Sequence, residues 1–160
     1  MTIKAGERMP EGKFKIMGEK GPKDLTTAEL FDGKRVVLFS VPGAFTPTCD
    51  AKHLPGYLGL ADQLRAKRVD TIACMAVNDV FVMTAWGKQS GAGGKVLMLA
   101  DGNGEYARAL GLELDAKGFG MGMRGQRFAI VVDKGVATHV DVEAPGQFKV
   151  SAAEHVLAQL

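Results

Sequence analysis

One run of residues narrows the possible folds more than any other. Arg35-Val36-Val37-Leu38-Phe39-Ser40-Val41 is almost continuously apolar and rich in β-branched residues, and Pro42-Gly43 stops it. A half-exposed strand would alternate apolar and polar positions. A run like this one suits a strand covered on both faces. Val69 to Val77 (VDTIACMAV) is a second such strand, and Lys95 to Ala100 (KVLMLA) is a third. Helical patterns lie between them. Tyr57, Leu60, Ala61 and Leu64 recur at helical spacing, with Asp62, Gln63, Arg65 and Lys67 opposite. Asn78-Asp79 caps a helix running to about Gln89. Glu105 to Leu110 is a short helix ended by Gly111.

Further on, Phe128 to Val132 and Val136 to Val142 flank Asp133-Lys134-Gly135, a hairpin signal. Ser151-Ala152-Ala153-Glu154 reads as a capping box opening a C-terminal helix, with Ala153, Val156, Leu157 and Leu160 on one face. Before all of these, residues 1–33 are Gly-rich and polar, with only short apolar pieces. Thr26 and Glu29 there fit another capping box, over a turn or two of helix. The order is strand, helix, strand, helix, strand, short helix, hairpin, helix. It predicts an α/β domain with a central mixed sheet and helices on both faces. The thioredoxin-like fold fits that order.

A chain of 160 residues is expected to form a single domain over 1–160. At that size folding buries roughly 70% of the unfolded surface, so a core needs no staples. Twenty Lys and Arg against eighteen Asp and Glu leave a net charge of +2, which argues against a nucleic-acid partner. No run of about 20 apolar residues predicts a membrane span. The opening MTIKAGERMPEGKF lacks the apolar core of a secretory signal. Two cysteines, Cys49 and Cys74, are too few for a disulfide framework and suit a reducing, cytoplasmic compartment. The Gly-rich stretches at 91–94 and 118–125 do not match a phosphate-binding loop. With only His53, His139 and His155, no metal-ligand spacing is visible, and no cofactor is expected.

In an open sheet of this kind, chemistry is expected at the carboxyl end of a central strand, where a helix begins. Pro42-Gly43-Ala44-Phe45-Thr46-Pro47-Thr48-Cys49 occupies that place. Thr46 is a good N-cap and Pro47 suits the first helical position, which makes Cys49 the third helical residue. First-turn N–H groups lack intrahelical partners, and the helix dipole is positive there. Such sites lower a thiol from about 8.5 into the range of roughly 3.5–7.5. Free cysteine is also a common small core filler. The residues alone leave Cys49 open between a reactive thiolate and an inert thiol.

The pattern Pro42, Thr46, Cys49 resembles the P-x-x-x-T-x-x-C signature of peroxiredoxins, thiol peroxidases on a thioredoxin-like fold. The longer VPGAFTPTC is similar to the peroxiredoxin 5 subfamily, called type II in plants. HLPGY at 53–57, AVNDVFVMTAWG at 76–87, KVLMLADGNGEY at 95–106, LGLELD at 110–115 and RGQRFAIVVDKG at 124–135 extend the resemblance over nearly the whole chain. The resemblance implies that Cys49 is the nucleophile, attacking one oxygen of a hydroperoxide and becoming a sulfenic acid. Thr46 would orient the peroxide, and Pro42 would shield the thiolate. The family's arginine at the start of a late strand corresponds to Arg127, with Arg124 as second candidate. Substrate-pocket and neighbouring candidates are His53, Phe45, Gly43 and Phe119.

His53 lies four residues after Cys49, one helical turn on if the helix continues past Pro55. A local supporting role is expected; a Cys–His nucleophile pair is set aside because Pro55 kinks or breaks a helix. Cys74, inside an apolar strand, reads as a core thiol, with a resolving role as the alternative. Some relatives carry a resolving cysteine near the C-terminal helix; here Ser151 stands at that position and looks like an N-cap. That departure favours a one-cysteine cycle, with glutathione and glutaredoxin as reductant and thioredoxin second. The alternatives are a Cys49–Cys74 disulfide reduced by thioredoxin, and a binding or holdase module with an incidental thiol. Absence of a C-x-x-C pair argues against a disulfide oxidoreductase. The resemblance also implies a homodimer, for which Phe45 and the Val80 to Trp86 segment are candidate contacts. Phe45, Phe81, Trp86, Phe119 and Met121 are apolar rim candidates, with ordinary core as the expectation for most.

Overall fold

A computed structural model describes residues 1–160. Its seven-stranded sheet is built around β3 (Arg35–Ser40), β4 (Thr71–Ala76), β5 (Leu97–Ala100), β8 (Phe128–Asp133) and β9 (Val136–Val142). β3 lies between β4, which it pairs in parallel, and β8, which it pairs antiparallel. β5 continues the parallel side and β9 the antiparallel side. The near-continuous apolar runs follow from cover on both faces. Val37, Phe39, Ile72, Cys74 and Val131 face one buried cluster; Val36, Leu38, Ala73, Met75 and Val132 face the other. The first cluster is closed by α2 (Leu54–Ala66), α3 (Val80–Ser90) and α5 (Ala153–Ala158). The second is closed by α1 (Thr27–Phe31) and α4 (Glu105–Leu110). This is the expected mixed sheet with helices on both faces, and the architecture is thioredoxin-like.

The capping box at Thr26 is formed in full, Asp79 caps α3, and Gly111 ends α4 in the left-handed region at φ 72°. Three local readings need correction. Residues 1–33 contain a hairpin, β1 (Lys13–Gly18) and β2 (Gly21–Thr26), which forms the sheet edge beyond β5. Only Phe14 of these two strands is buried, so little alternation marks them. A second small sheet, β6 (Glu113–Asp115) with β7 (Met123–Gly125), brackets the turn that carries Phe119.

The C-terminal capping box does not form. Ala152 is the N-cap of α5, without a side-chain bond. Ser151 is buried and donates its hydroxyl to Glu143 at 2.7 Å. Glu143 stands eight residues upstream on the chain that leaves β9. Its carboxylate accepts from both the hydroxyl and the amide of Ser151, which holds that side chain away from the helix start.

Candidate active site

β3 runs into Pro42, and residues 43–46 turn the chain back toward the helix that begins at Pro47. Phe45 makes this reversal in the left-handed region at φ 65°, which is uncommon for a bulky residue and marks a constrained turn. Asn78, just past β4, fixes the loop by accepting the Ala44 amide at 2.9 Å. Gly43 is closely approached by three side chains. A Cβ there would lie 3.1 Å from Met121 Cε and from Thr46 Cγ2, and 3.2 Å from Arg124 Nη1.

The helix begins as the motif suggests, then departs from α geometry. The Thr46 carbonyl accepts the Asp50 amide at 2.8 Å, as an N-cap does. Cys49–His53 forms a π-helical turn in which the Leu54 amide reaches back to the Cys49 carbonyl. Pro55 has no N–H, and its ring would crowd the carbonyl four residues earlier in an α-helix. The wider turn accommodates it, so the helix continues past Pro55 into α2 instead of breaking. Such turns occur frequently at functional sites. Asp50 is tied to α3 by the Trp86 indole N–H at 2.9 Å.

Cys49 is fully buried, and the hydrogen bonds to its sulfur come from side chains, not from first-turn amides. The Thr46 hydroxyl lies 2.8 Å from Sγ and 2.7 Å from the Gly43 carbonyl oxygen. Its single proton can go to either, and its lone pairs can accept from a thiol or a substrate O–H. Arg127, directly before β8, donates from Nη2 to Sγ at 3.0 Å. Its Nη1 meets His53 Nδ1 at 2.7 Å. His53 is wholly buried; burial first and the Arg127 charge second push its pKa down to about 3, so the ring is neutral. It does not bond to Cys49.

Of the two arginine candidates, then, Arg127 touches the sulfur and Arg124 does not. Arg124 spans the loop, from Nε to the Met121 carbonyl at 2.8 Å and from Nη1 to the Pro42 carbonyl at 3.4 Å. A pocket of about 190 Å³ lined by Pro42, Thr48, Arg127, Glu143, Pro145 and Gln147 opens beside this group. A larger depression of about 510 Å³ lies between Arg8, Thr27 and Phe31 and is lined by neither cysteine. Cys74 faces the same apolar cluster as Cys49 but receives no hydrogen bond. Burial raises its thiol well above the ordinary value, and the neighbouring Cys49 charge adds to the rise. Phe45, Phe81 and Phe119 are exposed, whereas Trp86 is buried; the core expectation holds for Trp86 and fails for those three.

Sequence reasoning missed Asn78 as the holder of the loop. It also missed Glu143 and the Ser151 carbonyl, which accepts from Tyr57 at 2.7 Å and lies 3.0 Å from His53 Nε2. No group of His, Cys, Asp and Glu is arranged to hold a metal. No helix is long and apolar enough to cross a membrane.

Comparison with known proteins bears on this geometry. The Redoxin family profile matches residues 4–157. Peroxiredoxin-2C of Arabidopsis thaliana is 45% identical over 159 residues, covering 99% of this chain and 98% of the relative. The structure of reduced Prx3 from Vibrio vulnificus in complex with hydrogen peroxide is similar with a TM-score of 0.95. It is 52% identical and covers 99% of each chain. Peroxiredoxin 5 from Alvinella pompejana is similar with a TM-score of 0.86 at 37% identity, covering 98% of this chain and 96% of that one.

Proposed function

The chain belongs to the peroxiredoxins of the peroxiredoxin 5, or type II, kind, thiol-dependent peroxidases, and from that premise we propose that Cys49 is the nucleophile of a one-cysteine cycle. The observation that carries this reading is the pair of donors on one buried sulfur, Thr46 Oγ1 at 2.8 Å and Arg127 Nη2 at 3.0 Å. A nucleophilic sulfur must be an anion, and a buried anion needs donors. The thiolate attacks one peroxide oxygen; the S–O bond forms as the O–O bond breaks. The departing oxygen takes a proton and leaves as water or an alcohol, and Cys49 is left as a sulfenic acid.

Thr46 accepts from and donates to the hydroperoxide, aligning its two oxygens with the sulfur. Arg127 offsets the negative charge on the sulfur and on the leaving oxygen. Pro42, half-buried and without an N–H, lines the pocket as a rigid apolar wall that limits water. Gly43 leaves room for the side chains of Thr46, Met121 and Arg124 that pack on the loop.

The sulfenic acid is resolved by an external thiol, which expels water to form a mixed disulfide; a second thiol then releases Cys49. Burial of Cys74 in β4 and a serine at position 151 support this route over an internal Cys49–Cys74 disulfide. Glutathione with glutaredoxin is the proposed donor, working on the single domain 1–160 in a reducing compartment such as the cytoplasm. Two free cysteines suit that compartment. Exposed Phe45 and Phe81 suit pairing of two copies as a homodimer. The test is turnover of hydrogen peroxide with glutathione and glutaredoxin beside thioredoxin. Sustained turnover with the first and little with the second is expected. Turnover with thioredoxin alone, lost in Cys74→Ala, would overturn the one-cysteine cycle.

A further inference from the structure

The Arg127 guanidinium contacts the sulfur with one nitrogen and His53 with the other. Arginine can only donate, so His53 Nδ1 must carry a lone pair. At the opposite side of the ring, Nε2 lies 3.0 Å from the Ser151 carbonyl oxygen, which can only accept, so Nε2 must carry the proton. The two contacts demand the same tautomer independently. Phe39, Phe148 and Tyr57 pack around the ring, with centroids 4.8, 5.1 and 5.7 Å away.

The Ser151 carbonyl has a second donor, and the amide and hydroxyl of the same residue are held by Glu143. Tyr57 donates its hydroxyl to the carbonyl at 2.7 Å. Glu143 Oε2 accepts from the Ser151 amide at 2.9 Å, the Ser151 hydroxyl at 2.7 Å and the Lys149 amide at 2.6 Å. Glu143 also reaches Arg127 through the main chain, its amide donating to the Arg127 carbonyl at 3.0 Å. Glu143 therefore meets Arg127 through its main-chain amide, while its carboxylate, through separate bonds, fixes the Ser151 residue whose carbonyl faces His53.

We propose that Glu143 and His53 are positioning residues for the peroxidase reaction, forming a relay from Glu143 through the Ser151 carbonyl and His53 that holds the Arg127 guanidinium against the Cys49 sulfur. The relay rests on the reading of Cys49 and Arg127 given above. The neutrality of His53 agrees with it, since a protonated ring would turn an N–H toward a guanidinium. The Glu143 carboxyl agrees as well. Burial acts to raise its pKa, but bonds from Ser151, Lys149 and Val150 outweigh burial and lower it, so it stays an anion able to accept them.

The test measures, for each variant, the second-order rate constant with hydrogen peroxide and the pH at which thiolate absorbance appears. Arg127→Gln is the reference. His53→Leu and Glu143→Gln are expected to slow the reaction about tenfold, less than loss of the donor itself, and to move the thiolate transition in the same direction as the reference. Because they act through Arg127, adding His53→Leu to Arg127→Gln should cost nothing further. His53→Asn, which retains an acceptor toward Arg127, should recover part of the His53→Leu loss and replaces it in the series should that variant not fold. Unchanged rate and transition in folded His53 and Glu143 variants, with both changed in Arg127→Gln, would overturn the relay. A fully additive double variant would do the same. No effect from Arg127→Gln itself would overturn the reading of the site on which the relay stands.

Discussion

Cys49 and Cys74 are the same residue type, both wholly buried, and both pack into the same apolar cluster. They differ in what meets the sulfur. Cys49 follows a constrained turn at the end of β3, where the Thr46 hydroxyl and the Arg127 guanidinium converge on it. Cys74 sits within β4, its backbone paired to Phe39 on one side and Met98 on the other, and its thiol is pushed up by burial. Burial alone therefore does not decide whether a thiol is inert. On the reading proposed here, convergent donors do, by offering an anion the partners that a dry interior otherwise lacks.

The sharpest way to break this contrast is to exchange the roles. Cys49→Ser should abolish peroxide turnover, while Cys74→Ala keeps most of it, as read in steady-state assays of both. Comparable losses would make the two thiols partners. Next in size is the donor itself. Arg127→Gln should lower the rate constant with peroxide by a factor of about 100 to 1000, the usual effect of removing one preorganised donor. Stopped-flow mixing with hydrogen peroxide measures this, and an effect under about threefold would separate the arginine from the chemistry.

A smaller effect concerns acid. The folded His53 pKa lies at about 3, below the ordinary value of 6.5, so between these pH values the unfolded chain binds a proton that the folded chain refuses. Stability is then lost as pH falls below 6.5 and returns as it rises. For this group alone the loss is about 2 kcal/mol at pH 5 relative to pH 8. Urea unfolding at the two pH values should show it, and His53→Asn should flatten the difference. The smallest effect belongs to Cys74. Cys74→Ala leaves a minor cavity and should cost on the order of 1 kcal/mol in thermal or urea unfolding without moving the peroxide rate constant.

How much of this was legible beforehand depended on sequence distance. The apolar runs that form β3, β4 and β5 are continuous because both sheet faces are covered, and that pattern is visible in the letters. So is the Pro42 to Cys49 loop, since its turn, helix start and proposed nucleophile lie within eight residues. Only family resemblance points to Arg127, because its contact with Cys49 spans 78 positions. The hairpin of β1 and β2 escaped because it buries almost nothing except Phe14. Ser-x-x-Glu at Ser151 is a valid local cap, and only the fold brings Glu143 close enough to capture the hydroxyl. The Ser151 carbonyl beside His53, 98 positions away, leaves no mark in either residue's neighbourhood.

The central claim, one reactive thiol and one inert thiol in the same core, is tested most directly by intact-mass spectrometry with peptide mapping after one equivalent of hydrogen peroxide on the reduced protein. A gain of about one oxygen, or a thiol-trapped adduct, mapped to Cys49 with Cys74 unmodified is the expected result, and excess peroxide should add about one or two more oxygens at Cys49. A dominant loss of two hydrogens joining Cys49 to Cys74, or oxygen carried mainly by Cys74, would contradict the account.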